Sequence, residues 1–192
     1  QQRPILRVQA SPAEEPRYGM IFRAAAIYQG ILFCRRRIHT LGLQGELAPG
    51  LTLARFVLAL ARRNSAVVHS VPIAIGLDDK PPEQRDYLCV LVSTLTRLFL
   101  GIRPYWGTEA GPLHYTAVQA RPQHLLRALP HLLQGRPGLW GTPENGYFSH
   151  NAHEVRMTLD SGFTLDGELY TADARRGPLV IRHGGQASFL RL

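Results

Sequence analysis

Lysine is almost absent from this 192-residue chain. Lys80 is the only one, and arginine supplies the other basic side chains behind a formal net charge of +8 at pH 7. A basic surface is compatible with nucleotide phosphates, acidic lipid headgroups or nucleic acid. Zinc-ligand spacing, a helix-turn-helix signature and aromatic strands with interleaved arginine are all missing, so we do not expect a nucleic-acid partner.

Cysteine and long apolar runs are scarce as well. The two cysteines, Cys34 and Cys89, lie in apolar stretches and cannot form a disulfide framework, which favours a reducing cytoplasm. The sequence has no run of eighteen apolar residues and no signal-peptide core, so it predicts neither a membrane span nor secretion. It begins on Gln1 with a strand-like segment already at residues 5–8, and we therefore expect a piece of a longer protein.

Alternation of apolar and polar residues predicts β-strands. Strict alternation marks 71–77 and 155–159, and a continuous apolar run at 87–92 predicts a strand buried on both faces. Pro72 indicates that its strand lies at an edge of the sheet or has a bulge. With 45% hydrophobic residues, the length suits one domain over residues 1–192.

Three amphipathic helices are predicted, near 27–37, 52–63 and 122–134. The third should bury an apolar face made of Leu125, Leu126, Leu129, Leu132 and Leu133. Together with the strands, these helices predict a mainly antiparallel β domain of the α+β class.

A tight turn near the C-terminus carries two carboxylates. Alternating residues lead into Asp166-Gly167, which is a strong signal for a two-residue turn between paired strands. A glycine that can take a positive φ lets Asp166 and Glu168 point from one loop toward one cation or one phosphate group. The same pattern is also typical of a purely structural, exposed turn.

The Asp166-Gly167-Glu168 tripeptide is followed by Gly177-Pro-Leu-Val-Ile-Arg182 and Gln186-Ala-Ser-Phe-Leu-Arg191. This end of the chain resembles the C-terminal end of the diacylglycerol kinase family of lipid kinases, which includes sphingosine and ceramide kinases. The resemblance implies an antiparallel β-sandwich-like domain, as in the C-terminal domains of diacylglycerol kinase-like and NAD kinase-like proteins. It also implies two strands after the tripeptide, separated by a short break.

The same resemblance implies a function and a site. The chain would be the C-terminal domain of an ATP-dependent kinase that phosphorylates a lipid hydroxyl, with ATP and Mg²⁺ as cofactors. Asp166 and Glu168 are then the candidate catalytic residues, with Gly167 as a third contact to the nucleotide. Asp166 is the candidate magnesium ligand, and Glu168 would contact the nucleotide or help to deprotonate the lipid hydroxyl.

Two functional segments of the family are not found in this chain. The Gly-Gly-Asp-Gly-Thr loop that holds ATP on a separate N-terminal domain is missing, so we expect the chain alone to be inactive. Many relatives carry an acidic Asp-Asp-Gly-x-Leu segment that binds a structural magnesium. At that place residues 109–113 offer only Glu109, a poor ligand set for a hard dication that prefers several oxygens.

The expected partners are a lipid substrate, a membrane surface contacted peripherally, the N-terminal nucleotide-binding domain and a second copy of the chain. A lipid-facing surface is expected in the apolar and aromatic segment 98–106. The alternative is a non-catalytic β-sandwich module that binds a lipid or a protein partner, with an Asp-Gly turn that is only structural.

Overall fold

The computed structural model describes residues 2–25, 70–98 and 101–188. Within these ranges the chain forms eleven strands: β1 (Gln2–Gln9), β2 (Arg17–Gly19), β3 (Ile21–Ala25), β4 (Val71–Leu77), β5 (Glu83–Ser93), β6 (Leu113–Gln119), β7 (Tyr147–Ala152), β8 (Glu154–Thr158), β9 (Gly162–Leu165), β10 (Glu168–Thr171) and β11 (Leu179–Ser188). It also forms helix α1 (Leu125–Leu133) and two 3-10 turns, Pro143–Asn145 and Ala174–Arg176. The helices predicted near 27–37 and 52–63 lie outside the described residues.

The eleven strands belong to one antiparallel sheet, which confirms the mainly β prediction. The order is β10-β9-β3-β5-β4-β8-β11-β1-β2, with β6 paired to β5 and β7 paired to β6. Strand β5 links two parts of this sheet, because its first half pairs with β4 and its second half with β3. Strands β1 and β11 are neighbours although they stand at opposite ends of the described sequence.

The core follows the predicted alternation. Residues that point to one face of β4 and β8 are buried, namely Val71, Ile73, Ile75, Val155 and Met157. Each such side chain contributes about 25 cal/mol per Å² of apolar surface removed from water. The apolar run 87–92 within β5 is buried on both faces, as predicted, with Leu88, Val90, Leu91 and Val92 all inside, whereas residues 83–86 of the same strand are exposed.

Strand β4 is an interior strand, so the prediction of an edge or a bulge at Pro72 was wrong. It pairs with β5 over Val71 to Ile75 without a register shift, and with β8 over Ala74 to Leu77. Pro72 precedes the stretch paired with β8, and the missing N–H therefore removes no bond on that side.

Helix α1 differs from its prediction in length and in the face that it buries. It starts at Leu125, and its inner residues Ala128 and Leu132 pack with Tyr147 in a second small core. Leu126 and Leu133 are exposed. The five predicted leucines lie within about 120° of one another around the helix axis, but the buried side is centred on Ala128 and Leu132, at one edge of that arc, so Leu126 and Leu133 are left outside. Within the described ranges, no helix has the length and apolar character needed to cross a bilayer.

Two strands were expected at 177–182 and 186–191, but within the described residues these segments belong to one strand, β11. Strand β11 pairs with β1 through a register shift, in which Pro4 faces Gln186 and Leu6 faces His183. One extra residue on β11 is therefore accommodated as a β-bulge, and Gly185 takes a φ of 92° beside it. The expected break is present only as this local irregularity.

Candidate functional site

The β9–β10 turn has the predicted geometry. Asp166 and Gly167 both have positive φ, 49° and 94°, which is the mark of a tight two-residue hairpin turn. Glu168 pairs directly with Leu165 across the turn. The turn therefore brings Asp166 and Glu168 to the same end of the hairpin, and both residues are exposed.

The Asp166 carboxylate binds the backbone of its own domain. Met20 and Ile21, where the chain turns from β2 into β3, donate their backbone N–H groups to Oδ1 at 3.1 and 2.8 Å. Met20 also donates to Oδ2 at 2.9 Å, and the N–H of Asp166 donates to the carbonyl of Ile21 at 3.0 Å. The hairpin turn and the β2–β3 corner are thus held together through one side chain.

This close approach requires a glycine at position 19. A Cβ added to Gly19 would lie 2.8 Å from Oδ2 of Asp166 and 2.7 Å from the side chain of Leu165. Real Cβ atoms do not approach other heavy atoms so closely, so a side chain at position 19 would force the Leu165 and Asp166 side chains to shift. Gly19 therefore helps to set the position of the acidic turn.

Asp78 makes the same arrangement at a second place in the sheet. It follows β4 with a φ of 53°, and its N–H donates to the carbonyl of Glu154 at 3.0 Å. Its Oδ1 accepts the N–H groups of His153 and Glu154 at 2.7 and 2.8 Å, at the junction of β7 and β8. Part of the role of Asp166 is therefore structural, since Asp78 does the same without the rest of the tripeptide.

Glu168 is oriented by an aromatic residue two positions later. The Tyr170 hydroxyl donates to Oε2 of Glu168, and this hydrogen bond, assisted by burial, raises the pKa of Tyr170 above its usual value. The Tyr170 ring stacks on the Phe163 ring, with 5.4 Å between the ring centres. The guanidinium of Arg17, on β2, lies 4.4 Å from the centre of the Tyr170 ring. Tyr170 is thus held from several directions.

A cleft of about 560 Å³ opens beside this hairpin. It lies between β10 and the segment that joins β1 to β2, and charged residues of both signs face it. Arg176 and Glu14 pair across 3.4 Å, whereas Asp173 pairs with Arg175 outside the lining. The lining residues are Ala10, Glu14, Arg17, Phe163, Leu169, Tyr170, Thr171, Ala172, Asp173 and Arg176. Such a lining suits a polar ligand better than an acyl chain.

The carboxylate of Glu109 is hydrogen-bonded to residues of its own domain. Its Oε1 lies 2.5 Å from Nδ1 of His150, and its Oε2 accepts the backbone N–H of Asn151 at 3.1 Å. Burial of the carboxylate opposes its ionisation, but these hydrogen bonds and a backbone bond within Glu109 outweigh burial and lower its pKa to about 2. The described part of the chain contains no group of three or more His, Cys, Asp or Glu residues arranged to hold a metal ion.

Sequence reasoning placed Asp166, Gly167 and Glu168 correctly in one turn but gave no role to Tyr170 or Arg17. The spacing of Glu168 and Tyr170 contained a usable signal, because residues two apart on a strand share a face. Nothing in the sequence pointed to Arg17, which reaches the ring from another strand.

Comparison with known proteins finds structures of similar fold but no relative by sequence. No family model matches the chain, and no curated protein sequence matches it. Its structure is similar to a candidate diacylglycerol kinase from Bacillus anthracis str. Sterne, with a TM-score of 0.51, 13% identity and coverage of 95% of this chain and 55% of the other. A diacylglycerol kinase from the same organism matches with a TM-score of 0.49 and 11% identity, over 95% of this chain and 51% of the other. Yeast NADH kinase complexed with NADH matches with a TM-score of 0.40 and 10% identity, over 95% of this chain and 40% of the other.

The first of these matches confirms the predicted resemblance at the level of fold. The chain spans about half the length of the diacylglycerol kinase structures, as expected for a C-terminal domain taken alone. The identity is too low for the match to carry more than the fold.

Proposed function

We propose that this chain is the C-terminal domain of an ATP-dependent lipid kinase of the diacylglycerol kinase type. The observation that carries the proposal is the hairpin with its two exposed carboxylates, on a fold similar to that of a candidate diacylglycerol kinase. Strand β10 pairs only with β9 among the described strands, so its other edge borders the cleft. A nucleotide-binding domain docked against this hairpin would complete the active site.

The two carboxylates would have different tasks. Asp166 is fixed by backbone N–H groups, yet a carboxylate offers about four acceptor positions and this one remains exposed. Mg²⁺ is commonly bound through one or two carboxylates plus substrate phosphates, and Asp166 fits that role. Magnesium supplied with ATP would neutralise phosphate charge. Gly167 has open space on its Cβ side, which would allow close approach of a phosphate.

Glu168 would accept the proton of the lipid hydroxyl or contact the nucleotide. Its bond to Tyr170 fixes the carboxylate direction, and a positioned base contributes about 10² to 10⁴ in rate. Phosphoryl transfer also needs a phosphate-binding loop, and this sequence has no Gly-Gly-Asp-Gly-Thr segment. We therefore propose that the activity belongs to a longer protein and that the chain alone is inactive.

The test is ATP-dependent phosphorylation of lipid by that longer protein. Glu168→Gln should lower kcat about 100-fold or more while the unfolding temperature stays within about 2 °C of the wild type. Glu83→Gln is the matched control, because Glu83 is also an exposed carboxylate bonded to a residue two positions later, Arg85. Near-normal activity of Glu168→Gln would remove Glu168 from the site, and the absence of any ATP-dependent lipid product would refute the kinase proposal.

The alternative function is a non-catalytic module that binds a lipid or a protein partner. It is favoured by a different observation, the exposed leucines of helix α1. The coding sequence upstream discriminates between the two, because a Gly-Gly-Asp-Gly-Thr segment within about 150 residues, one domain length, supports the kinase.

A further inference from the structure

Helix α1 carries an apolar stripe on the side that faces away from the protein. Leu126, Pro130 and Leu133 are separated by four and three residues, so they lie within about 60° of one another around the helix axis. Ala128 and Leu132 occupy the opposite side, where they are buried. The exposed fractions of Leu126 and Leu133 are 58% and 37%.

Leu139, in the turn that follows the helix, is a further exposed apolar residue. It is 86% exposed, and the turn before it stays close to α1 because Arg136 donates its N–H to the carbonyl of His131. We call Leu126, Pro130, Leu133 and Leu139 the leucine face. Single exposed apolar residues are ordinary, but three of the four exposed large hydrophobic residues of the described chain lie here.

The surroundings of the leucine face are positively charged. Residues 110–143 contain no aspartate or glutamate, and they contain three arginines, Arg121, Arg127 and Arg136, all exposed. Arg103, also exposed, joins them because its N–H donates to the carbonyl of Leu133 at 2.9 Å. The Arg127 guanidinium lies 5.5 Å from the Trp140 ring, which keeps it beside the helix.

We propose that the leucine face is a docking surface for an anionic membrane. An apolar stripe flanked by arginines matches an interfacial helix, whose apolar side chains enter the boundary of the acyl chains while the cations contact lipid headgroups. The uniform sign of the flanking charges favours a lipid surface over a protein partner, whose interface would bring charges of both signs.

The docking surface is separate from the acidic turn. Helix α1 packs near Val118 and Tyr147, at one end of β6 and β7. The acidic turn contacts Ile21, which pairs with Ser93, and Ser93 pairs with His114 at the other end of β6. The leucine face would therefore attach the protein to a membrane rather than admit substrate, and the inference does not depend on phosphoryl transfer.

Vesicle co-sedimentation of the protein, without nucleotide, tests this surface. Wild type should bind vesicles in which about one lipid in three is phosphatidylglycerol, bind phosphatidylcholine vesicles more weakly, and dissociate as salt is raised. Leu126→Gln combined with Leu139→Gln should lower the partition coefficient about tenfold or more. Arg127→Gln combined with Arg136→Gln should lower it by a similar factor on the anionic vesicles only.

Tyr18→Gln is the control, because Tyr18 is 55% exposed, on β2, and its loss should leave vesicle binding unchanged. Leu139→Gln alone changes only a turn residue, so it keeps the test valid if the double variant folds poorly. The proposal would be overturned if the double variant and Leu139→Gln both bound the anionic vesicles as strongly as the wild type does. It would also be overturned if the wild type did not bind anionic vesicles and sedimentation velocity showed that it self-associates through the leucine face.

Discussion

Replacing Asp166 should destabilise the fold as well as disturb the proposed site. Asp166→Ala removes the acceptors of two backbone N–H groups, those of Met20 and Ile21, and places an alanine at a φ of 49°. A hydrogen bond to a charged group contributes about 1.5–3 kcal/mol. The turn is exposed, however, so water can replace part of each bond, as at a helix N-cap, where the loss is about 0.5–2 kcal/mol.

We therefore expect Asp166→Ala to lower the free energy of unfolding by about 1–2 kcal/mol, with alanine in the left-handed region adding to the loss. For a chain of this size the unfolding temperature falls by about 2–4 °C per kcal/mol. Asp166→Asn should lose less, since asparagine tolerates this φ and keeps one acceptor oxygen. Urea denaturation followed by circular dichroism measures both variants.

Asp78 supplies the matched control. Asp78→Ala removes the same kind of capping at the β7–β8 junction, so its loss of stability should be similar. Only Asp166 should also affect phosphorylation by the longer protein at a temperature where both variants are folded. A change in stability below about 0.5 kcal/mol for Asp166→Ala, the size seen at ordinary surface positions, would refute this account of the turn.

Two further predictions concern bonds to carboxylates. The pKa of Glu109 is lowered from 4.5 to about 2, so its contribution to stability is present above about pH 4.5 and is lost as pH falls toward 2. The stability difference between wild type and Glu109→Gln in urea denaturation should therefore shrink across that window; a constant difference would contradict the His150 pairing. Glu168→Gln should return the raised pKa of Tyr170 toward 10.0, as read by carbon-13 NMR of the tyrosine ring, and an unchanged pKa would show that Glu168 does not hold Tyr170.

Local patterns predicted the parts of the fold that depend on neighbouring residues. The Asp166-Gly167 turn was predictable because only certain residues accept positive φ at both central positions. The alternation in β4 and β8 was predictable because side chains alternate between core and solvent along a strand. The resemblance carried by the tripeptide supplied the domain type, which composition and periodicity could not.

Contacts between distant parts of the chain could not be predicted from the sequence. Met20 is 146 residues from Asp166, and no local pattern indicates that a carboxylate will accept its N–H. The buried face of α1 was misassigned because the apolar pattern marks the arc of leucines but does not tell which part of that arc meets the protein, and the buried side is centred on Ala128 and Leu132 at its edge. Tertiary packing against Tyr147 makes that choice.

The pairing of β1 with β11 has a consequence for how this chain can be made. Residues 2–9 leave the ribosome long before their partner strand exists, so the sheet cannot be completed until β11 has been translated. During that interval β1 would expose unpaired backbone groups on the side that β11 later covers, which is a site for aggregation. A protein shortened before Leu179 would keep that edge open permanently, and would leave β8 without its second neighbour as well.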